Sequence, residues 1–151
     1  MSADDRLREL GLTLPELPQP AGVYVRATRA GNLIFVAGQL PLEKGEVRYS
    51  GRLGRDLEVE EGYAAARLCM LNALSILNAE AGSLDAVRLV RLSGFVCSAE
   101  GFTGQAKVVN GASELAAAIL GQRGVHARLA VGVVELPLGA AVELEVIAEV
   151  G

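Results

Sequence analysis

Tryptophan is absent from the 151-residue sequence, histidine occurs once, and cysteine occurs twice. A tetrahedral zinc site needs several Cys or His ligands at short spacing, which Cys69, Cys97 and His126 cannot supply. Aromatic residues make up only 4% of the chain, so few rings are available to stack against single-stranded bases. The net charge of −4 adds no general attraction for a phosphate backbone. We therefore expect no metal, and nucleic acid is disfavoured as a partner.

Long apolar runs are also missing, since no stretch approaches the roughly 20 residues that a helix needs to cross a bilayer. The N-terminus begins with acidic residues and leads into no hydrophobic signal core. We therefore expect a cytoplasmic protein with no membrane partner, in which both cysteines are reduced and buried. The length predicts a single domain over 1–151, with the proline-containing residues 1–20 as a lead-in segment.

The spacing of apolar residues predicts alternating strands and helices. The predicted elements are strands at 22–28, 33–37, 87–98, 127–136 and 140–150, helices at 57–81 and 104–120, and a loop at 43–55 with a short strand around 47–49. Gly82 and Gly121 are expected to end the two helices. We interpret Pro137-Leu138-Gly139 as the turn of a hairpin that joins the last two strands.

The last two strands predict which faces of the sheet are covered. In the final strand Val142, Leu144 and Val146 alternate with Glu143 and Glu145, so one face meets the helices. The strand at 127–136 is apolar on both faces, and two helices on one side cannot cover the second face. We therefore expect an α+β fold: a mixed sheet with two helices on one face and an oligomer interface on the other.

Arg128 is a permanently charged side chain among alanine, leucine and valine neighbours, and an unpaired guanidinium is costly to bury. One interpretation is structural, with the side chain reaching solvent or closing a salt bridge. The other is a bidentate site for a ligand carboxylate. The predicted hairpin brings Glu143 back along the strand of Arg128, so the two are candidate companions within a subunit or across an interface.

Three further residues are weaker candidates when each is taken alone. Tyr24 is an aromatic among apolar neighbours on the first strand, where a tyrosine at the rim of the core is the commoner role. Gly38 and Gln39 stand at a predicted strand end, where backbone donors and an amide can face a ligand.

In combination these residues form a recognisable series. The series consists of Gly22-Val23-Tyr24, then the run from Phe35 to Pro41, then Arg128 nine residues before Pro137, then the alternating run from Val142 to Ala148. In order and spacing it resembles the Rid/YjgF family, also labelled endoribonuclease L-PSP, from about residue 18 to residue 150.

The resemblance implies a chorismate-mutase-like α+β fold assembled as a homotrimer, with ligand sites in clefts between subunits. Members of the deaminase branch hydrolyse reactive enamines or imines to a 2-keto acid and ammonia, without a metal or cofactor. On the matching positions, Arg128 would bind the substrate carboxylate and Glu143 would orient or activate the attacking water. Tyr24, Gly38 and Gln39 would line the same pocket and contact the substrate.

The sequence departs from the family pattern at several pocket positions. Val23 replaces a proline, Ala37 replaces a small hydroxyl residue, and Leu129-Ala130 replace a Ser-Cys type pair. The segments 43–55 and 101–108 are longer than in compact members. Two other functions therefore stay open: a non-catalytic trimer that binds a small carboxylate, and a ribonuclease, which the family label alone suggests.

Overall fold

The computed structural model of the chain describes residues 1–20 and 22–151. In chain order its elements are α1 (Ala3–Glu9), β1 (Ala27–Ala30), β2 (Leu33–Gln39), β3 (Leu42–Glu43), β4 (Glu46–Val47), α2 (Val59–Ala81), β5 (Val87–Cys97), α3 (Gln105–Leu120), β6 (Ala127–Val133) and β7 (Val142–Val150). The two predicted helices are confirmed as α2 and α3. Gly82 ends α2 with a φ of 84°, a conformation that favours glycine.

Five strands of the described chain form the main sheet, in the spatial order β1-β2-β7-β5-β6. β5 and β6 are parallel and connected by α3, whereas the other neighbouring strands are antiparallel. The predicted mixed sheet is therefore confirmed. Helices α2 and α3 pack on one face of it, where they bury Ile34, Met70, Leu74, Leu92, Ile119 and Leu144.

The hairpin predicted between the last two strands is wrong, because β5 lies between β6 and β7. The chain from residue 134 to 141 passes over the end of β5. There the backbone N–H of Ser98 donates to the Val133 carbonyl, and the backbone N–H of Cys97 donates to the Ala141 carbonyl. In this position β7 forms hydrogen bonds along both of its edges, with β2 and with β5. A hairpin at the rim of the sheet would leave one of those edges unpaired.

The two long helices approach each other closely at glycine. A Cβ added to Gly111 of α3 would lie 2.0 Å from the carbonyl oxygen of Tyr63 in α2. A Cβ added to Gly94 of β5 would lie 2.7 Å from a methyl group of Val109. Glycine at these two positions therefore allows α3 to pack against both α2 and the sheet.

The lead-in segment contains a helix that the periodicity did not predict. Ser2 and Asp5 form a capping box at the start of α1, and Ala3 and Leu7 are buried against the rest of the core. The described residues thus contain three α-helices rather than two. A helix of 7 residues is marginal alone, so packing stabilises it more than its own sequence pattern.

The first hairpin is shifted relative to the prediction. The strand expected at 22–28 begins only at Ala27, and β2 continues past the predicted end at 37 to Gln39. Gly31, with a φ of 60°, and Asn32 form the turn. Residues 22–26 therefore lie outside the strands, and they bring Tyr24 beside the end of β2.

The two longer loops pack against each other near the end of β5. The loop at 43–55 begins with the β3–β4 hairpin and carries Leu53, which is fully buried. Leu53 exchanges backbone hydrogen bonds with Cys97 and Ala99, and a Cβ on Gly54 would lie 3.0 Å from Phe102. The loop is thus fixed to the core rather than projecting from it.

The face of the sheet opposite α2 and α3 stays open in the single chain. Phe35 is 39% exposed and Val131 is 40% exposed there, a high value for large apolar side chains in the middle of strands. Among the described residues, no helix has both the length and the apolar character needed to cross a membrane.

Candidate functional site

A cleft opens at the end of β2, between residues 18–20 and 24–26 on one side and the start of β7 on the other. Its volume is about 240 Å³, below the ~300–1,000 Å³ of pockets for drug-sized ligands, so it suits a small molecule. Tyr24, Gly38, Gln39 and Glu143 all line it. Four of the five residues singled out in the sequence are thus brought together in one chain.

Glu143 is the acidic group of the cleft. It is half-buried in β7, and its carboxylate forms no hydrogen bond or ion pair with any described residue. Burial raises the pKa of Glu143, and the neighbouring charge of Glu145 raises it further. A half-buried carboxylate without an internal partner is suited to hold or transfer a proton at this position.

Gly38 makes room for this carboxylate. β2 carries an irregularity between Val36 and Gln39, and Gly38 lies within it. A Cβ added to Gly38 would lie 2.5 Å from Oε2 of Glu143, so the missing side chain lets the carboxylate rest against the backbone of β2. Glycine at this strand end is therefore explained by the close approach of Glu143.

The amide of Gln39 supports the same irregular backbone. Its Nε2 donates to the carbonyls of Ala37 and Gly38, at 3.0 and 3.3 Å, and the side chain is buried. The amide nitrogen is therefore occupied by the chain itself. Gln39 holds the shape of the cleft wall in the structure.

Tyr24 and Arg26 form the outer wall of the cleft. Tyr24 is 51% exposed, so its ring is accessible from solvent. Arg26 lies two residues further on and donates from Nε to the carbonyl of Pro18. Arg26 was not singled out from the sequence, although the strand predicted at 22–28 would place residues 24 and 26 on the same side.

Arg128 lies elsewhere in the same chain. It pairs in register with Leu92 of β5, whose side chain is buried beneath the helices, whereas Glu143 pairs with Phe95 on the opposite face. The Arg128 guanidinium donates to Ser113 Oγ at 2.9 Å and to the Ala106 carbonyl at 3.1 Å. The two residues expected to act together are thus separated by the sheet within one chain.

His126 belongs to the Arg128 network. Its Nδ1 lies 2.6 Å from the Gly124 carbonyl, and its Nε2 lies 2.9 Å from Ser113 Oγ. Because a carbonyl can only accept, Nδ1 carries the proton, and in the neutral ring Nε2 accepts from the Ser113 hydroxyl. That hydroxyl in turn accepts from Arg128. Among the described residues, no ion pair joins Arg128 to a carboxylate.

Comparison with known proteins decides the family. Residues 4–150, nearly the whole chain, match the YjgF/chorismate mutase-like endoribonuclease family. The chain belongs to this family. Protein TCP17 of Trypanosoma cruzi is 46% identical over 145 residues, covering 95% of this chain and 91% of that protein.

Solved structures share the fold of this chain. The protein Atu1372 of Agrobacterium tumefaciens has a TM-score of 0.92 and 44% identity, covering 99% of this chain and 92% of its own. TdcF of Escherichia coli, solved with bound serine, has a TM-score of 0.67 and 22% identity, covering 89% of this chain and 94% of its own. At 22% identity, the likeness to TdcF shows that this YjgF-family chain has the same fold, and no more.

Both cysteines of this YjgF-family protein are buried and free, as the sequence predicts. Cys69 lies in α2, and its thiol contacts the Val142 carbonyl. Burial raises the pKa of the Cys69 thiol well above its usual range, and the charge of Glu143 adds to the effect. The thiol is therefore an uncharged, apolar part of the core.

Proposed function

We propose that this protein hydrolyses 2-imino acids to 2-keto acids and ammonia, without a metal or cofactor, in clefts between the subunits of a homotrimer. The observation that carries the proposal is the Glu143 carboxylate, which faces the cleft without a partner among residues 1–20 and 22–151. Its raised pKa makes it a better base toward water than an ordinary surface glutamate. The resemblance of the sequence to the deaminase branch of the Rid/YjgF family also supports this choice of reaction.

The reaction needs one water molecule and one group that carries a proton. The water oxygen adds to the imine carbon while the C=N electron pair moves to nitrogen. Glu143 takes the proton from the water and returns it to the nitrogen, which gives a carbinolamine. Glu143 then takes the hydroxyl proton and delivers it to the nitrogen, so that the C–N bond breaks, the C=O bond forms and ammonia leaves. Imine and water are thereby converted to keto acid and ammonia.

The carboxylate of the substrate requires a positive group close to Glu143. We assign this role to Arg128 of the neighbouring subunit, because Arg128 of the same chain lies on the other face of the sheet. The open edge of β6 and the exposed Phe35 and Val131 support an assembly in which subunits cover this face. An arginine contributed by a neighbour would complete each cleft, since a guanidinium matches a carboxylate in two parallel hydrogen bonds.

A second candidate function is binding of a small carboxylate without turnover. Ala37 in the wall of the cleft lacks the hydroxyl that its family position often carries, and Leu129-Ala130 lack polar side chains. The serine bound in the related fold of TdcF shows that a member of this fold class accommodates a small amino acid. In this alternative the cleft selects a metabolite and Glu143 serves recognition only.

The experiment that separates the two functions is direct. An amino-acid oxidase generates 2-iminopropionate or 2-iminobutyrate in situ, and semicarbazide traps the imine that survives. We expect the purified protein to reduce the trapped imine, and Glu143→Gln to abolish this effect. Trapping that is unchanged at high concentration of the wild-type protein would exclude imine hydrolysis.

Two controls accompany the assay. Glu145→Gln removes the same charge from the same strand at an exposed position, so it should retain activity. Arg128→Ala should lose activity, and mixing it with Glu143→Gln after unfolding and refolding together should restore part of it. Restoration is expected only where the two residues come from different subunits, because mixed trimers then contain some intact clefts.

A further inference from the structure

The cleft contains a second cationic group that the proposed reaction does not use. Arg26 lines the same cavity as Glu143. Its Nε donates to the Pro18 carbonyl at 2.5 Å. Among the described residues, the Arg26 guanidinium makes no other hydrogen bond. Among the described residues, no ion pair joins Arg26 to a carboxylate.

Arg26 and Glu143 therefore share one cleft without pairing. Opposite charges in a confined space normally attract each other, and a guanidinium offers five donors. The contact between Nε and Pro18 holds one donor against the wall of the cleft and leaves the two terminal nitrogens for another acceptor. An anion from outside the chain would satisfy these nitrogens with charge-assisted hydrogen bonds.

We propose that Arg26 forms a second anion subsite, and that the preferred ligands of this protein are dicarboxylic acids. Under the proposed function these are the 2-imino derivatives of aspartate-like and glutamate-like carbon skeletons. The inference rests on that function in one respect: Arg128 of the neighbouring subunit takes the carboxylate next to the imine. Arg26 then takes the carboxylate at the far end of the ligand, and Glu143 stays beside the imine carbon.

The position of Arg26 agrees with this division of the cleft. Arg26 and Tyr24 stand on the segment that forms the outer wall, whereas Gly38 and Glu143 form the inner end near β7. A ligand with its reacting carbon at Glu143 would extend its far end toward the outer wall. A small cavity of about 240 Å³ matches a short diacid better than a large side chain.

A structural role for Arg26 predicts a different result. In that role the side chain only links Arg26 to Pro18, eight residues earlier in the chain. Its replacement would then lower thermal stability and weaken every ligand alike. A subsite instead affects only ligands that carry the second carboxylate.

The test measures binding of two acids of equal length, 2-oxoglutarate and 2-oxovalerate, by isothermal titration calorimetry with the intact oligomer. These acids differ in the terminal carboxylate alone. We expect the wild-type protein to bind 2-oxoglutarate about tenfold or more tighter, the effect of one charge-assisted contact. Arg26→Gln should bring the two affinities together, and Arg26→Lys should retain part of the preference.

Arg29→Gln is the matched control, because it removes the same charge from an exposed position on the neighbouring strand β1, away from the cleft. It should leave the preference unchanged, whereas Arg128→Gln should weaken both acids equally. Equal binding of the two acids by the wild-type protein, or binding of neither at millimolar concentration, overturns the inference.

The binding test is independent of turnover. An inactive protein that still prefers 2-oxoglutarate through Arg26 would contradict imine hydrolysis and support the subsite. An active protein that hydrolyses monocarboxylic and dicarboxylic imines with the same kcat/KM, and keeps doing so as Arg26→Gln, would support the function and overturn the subsite.

Discussion

Two charged regions of this protein contrast with each other. In the cleft at the end of β2, Glu143 and Arg26 face open space and form no ion pair within the described chain. At the edge strand β6, Arg128 is held by Ser113 and by a backbone carbonyl, and His126 completes the network. A carboxylate that has no hydrogen-bond partner in the chain is more informative about ligand binding than a guanidinium whose donors are used within the chain, because the partner of that carboxylate must come from outside.

The contrast also changes what the sequence suggested about Arg128. Its apolar strand neighbours made it the most conspicuous charge in the chain, yet in the single chain that charge is accommodated by α3. Its assigned role in substrate binding therefore depends on a neighbouring subunit.

The largest effect is expected for Glu143→Gln. The amide keeps the size of the side chain but cannot accept the proton of the attacking water. We expect kcat/KM for imine hydrolysis to fall by about 10²–10⁴-fold, the usual contribution of a general base. Steady-state kinetics with trapped imine measures this change. A fall of less than about tenfold would remove Glu143 from the proton-transfer step.

Gly38→Ala should displace the carboxylate without removing it. The new methyl group would lie 2.5 Å from Oε2 of Glu143, so that flexible side chain must move. We expect a loss of about 100-fold in kcat/KM, as for other small misplacements of a reacting group. The melting temperature should change little, because a side-chain end can shift at low cost. Full activity in a variant that folds normally would contradict the contact between Gly38 and Glu143.

Arg128→Gln should reduce stability more than Arg26→Gln does. Arg128 donates two hydrogen bonds within the chain, whereas Arg26 donates one to a surface segment. We expect Arg128→Gln to lower the free energy of unfolding by about 1 kcal/mol, as for a typical hydrogen bond. Urea denaturation of both variants measures the difference.

A double-mutant cycle with Ser113→Ala controls that comparison. The Ser113 hydroxyl accepts from Arg128, so the two substitutions should be non-additive. Additive effects would show that this bond contributes nothing to stability. They would also remove the proposed distinction between Arg128, which is hydrogen-bonded within the chain, and Glu143, which is not.

The smallest effect concerns the pH dependence of stability. Burial raises the pKa of Glu143 in the folded protein, so between the ordinary glutamate pKa and the raised value the folded state binds more protons than the unfolded state. Stability is therefore lost as the pH rises through this window. Relative to Glu143→Gln, the wild-type protein should gain stability as the pH falls from neutral toward about pH 4.

Thermal melting of both proteins across this range measures the effect. The difference should amount to a fraction of a kcal/mol, because a half-buried group is partly screened by solvent. Parallel melting curves at every pH would mean that Glu143 has the same proton affinity in both states.

Much of the secondary structure could be predicted from the sequence. The apolar repeat of α2 and α3, with glycine at their ends, defines both helices to within about two residues. The alternation of β7 predicts its covered face, on which Val142, Leu144 and Val146 are all buried. These features depend on neighbours along the chain, so a local pattern carries them.

The start of the chain shows where local patterns were insufficient. α1 is too short for a clear repeat and depends on packing of Ala3 and Leu7. β1 begins at Ala27 because residues 22–26 turn away from the sheet toward the cleft. The residue types at these positions do not predict that turn. Both errors occurred where tertiary contacts outweigh propensity.

By itself, the sequence determined the two long helices, most strands, the family motifs and, through the family resemblance, the placement of Gly38 and Glu143 at one site. Only the tertiary structure decided that β7 lies between β2 and β5, that Arg128 faces α3, and that Arg26 shares the cleft with Glu143. The physical reason is the range of the interactions. Periodicity and turn chemistry act over a few residues, whereas the order of strands depends on hydrogen bonds between segments far apart in the chain.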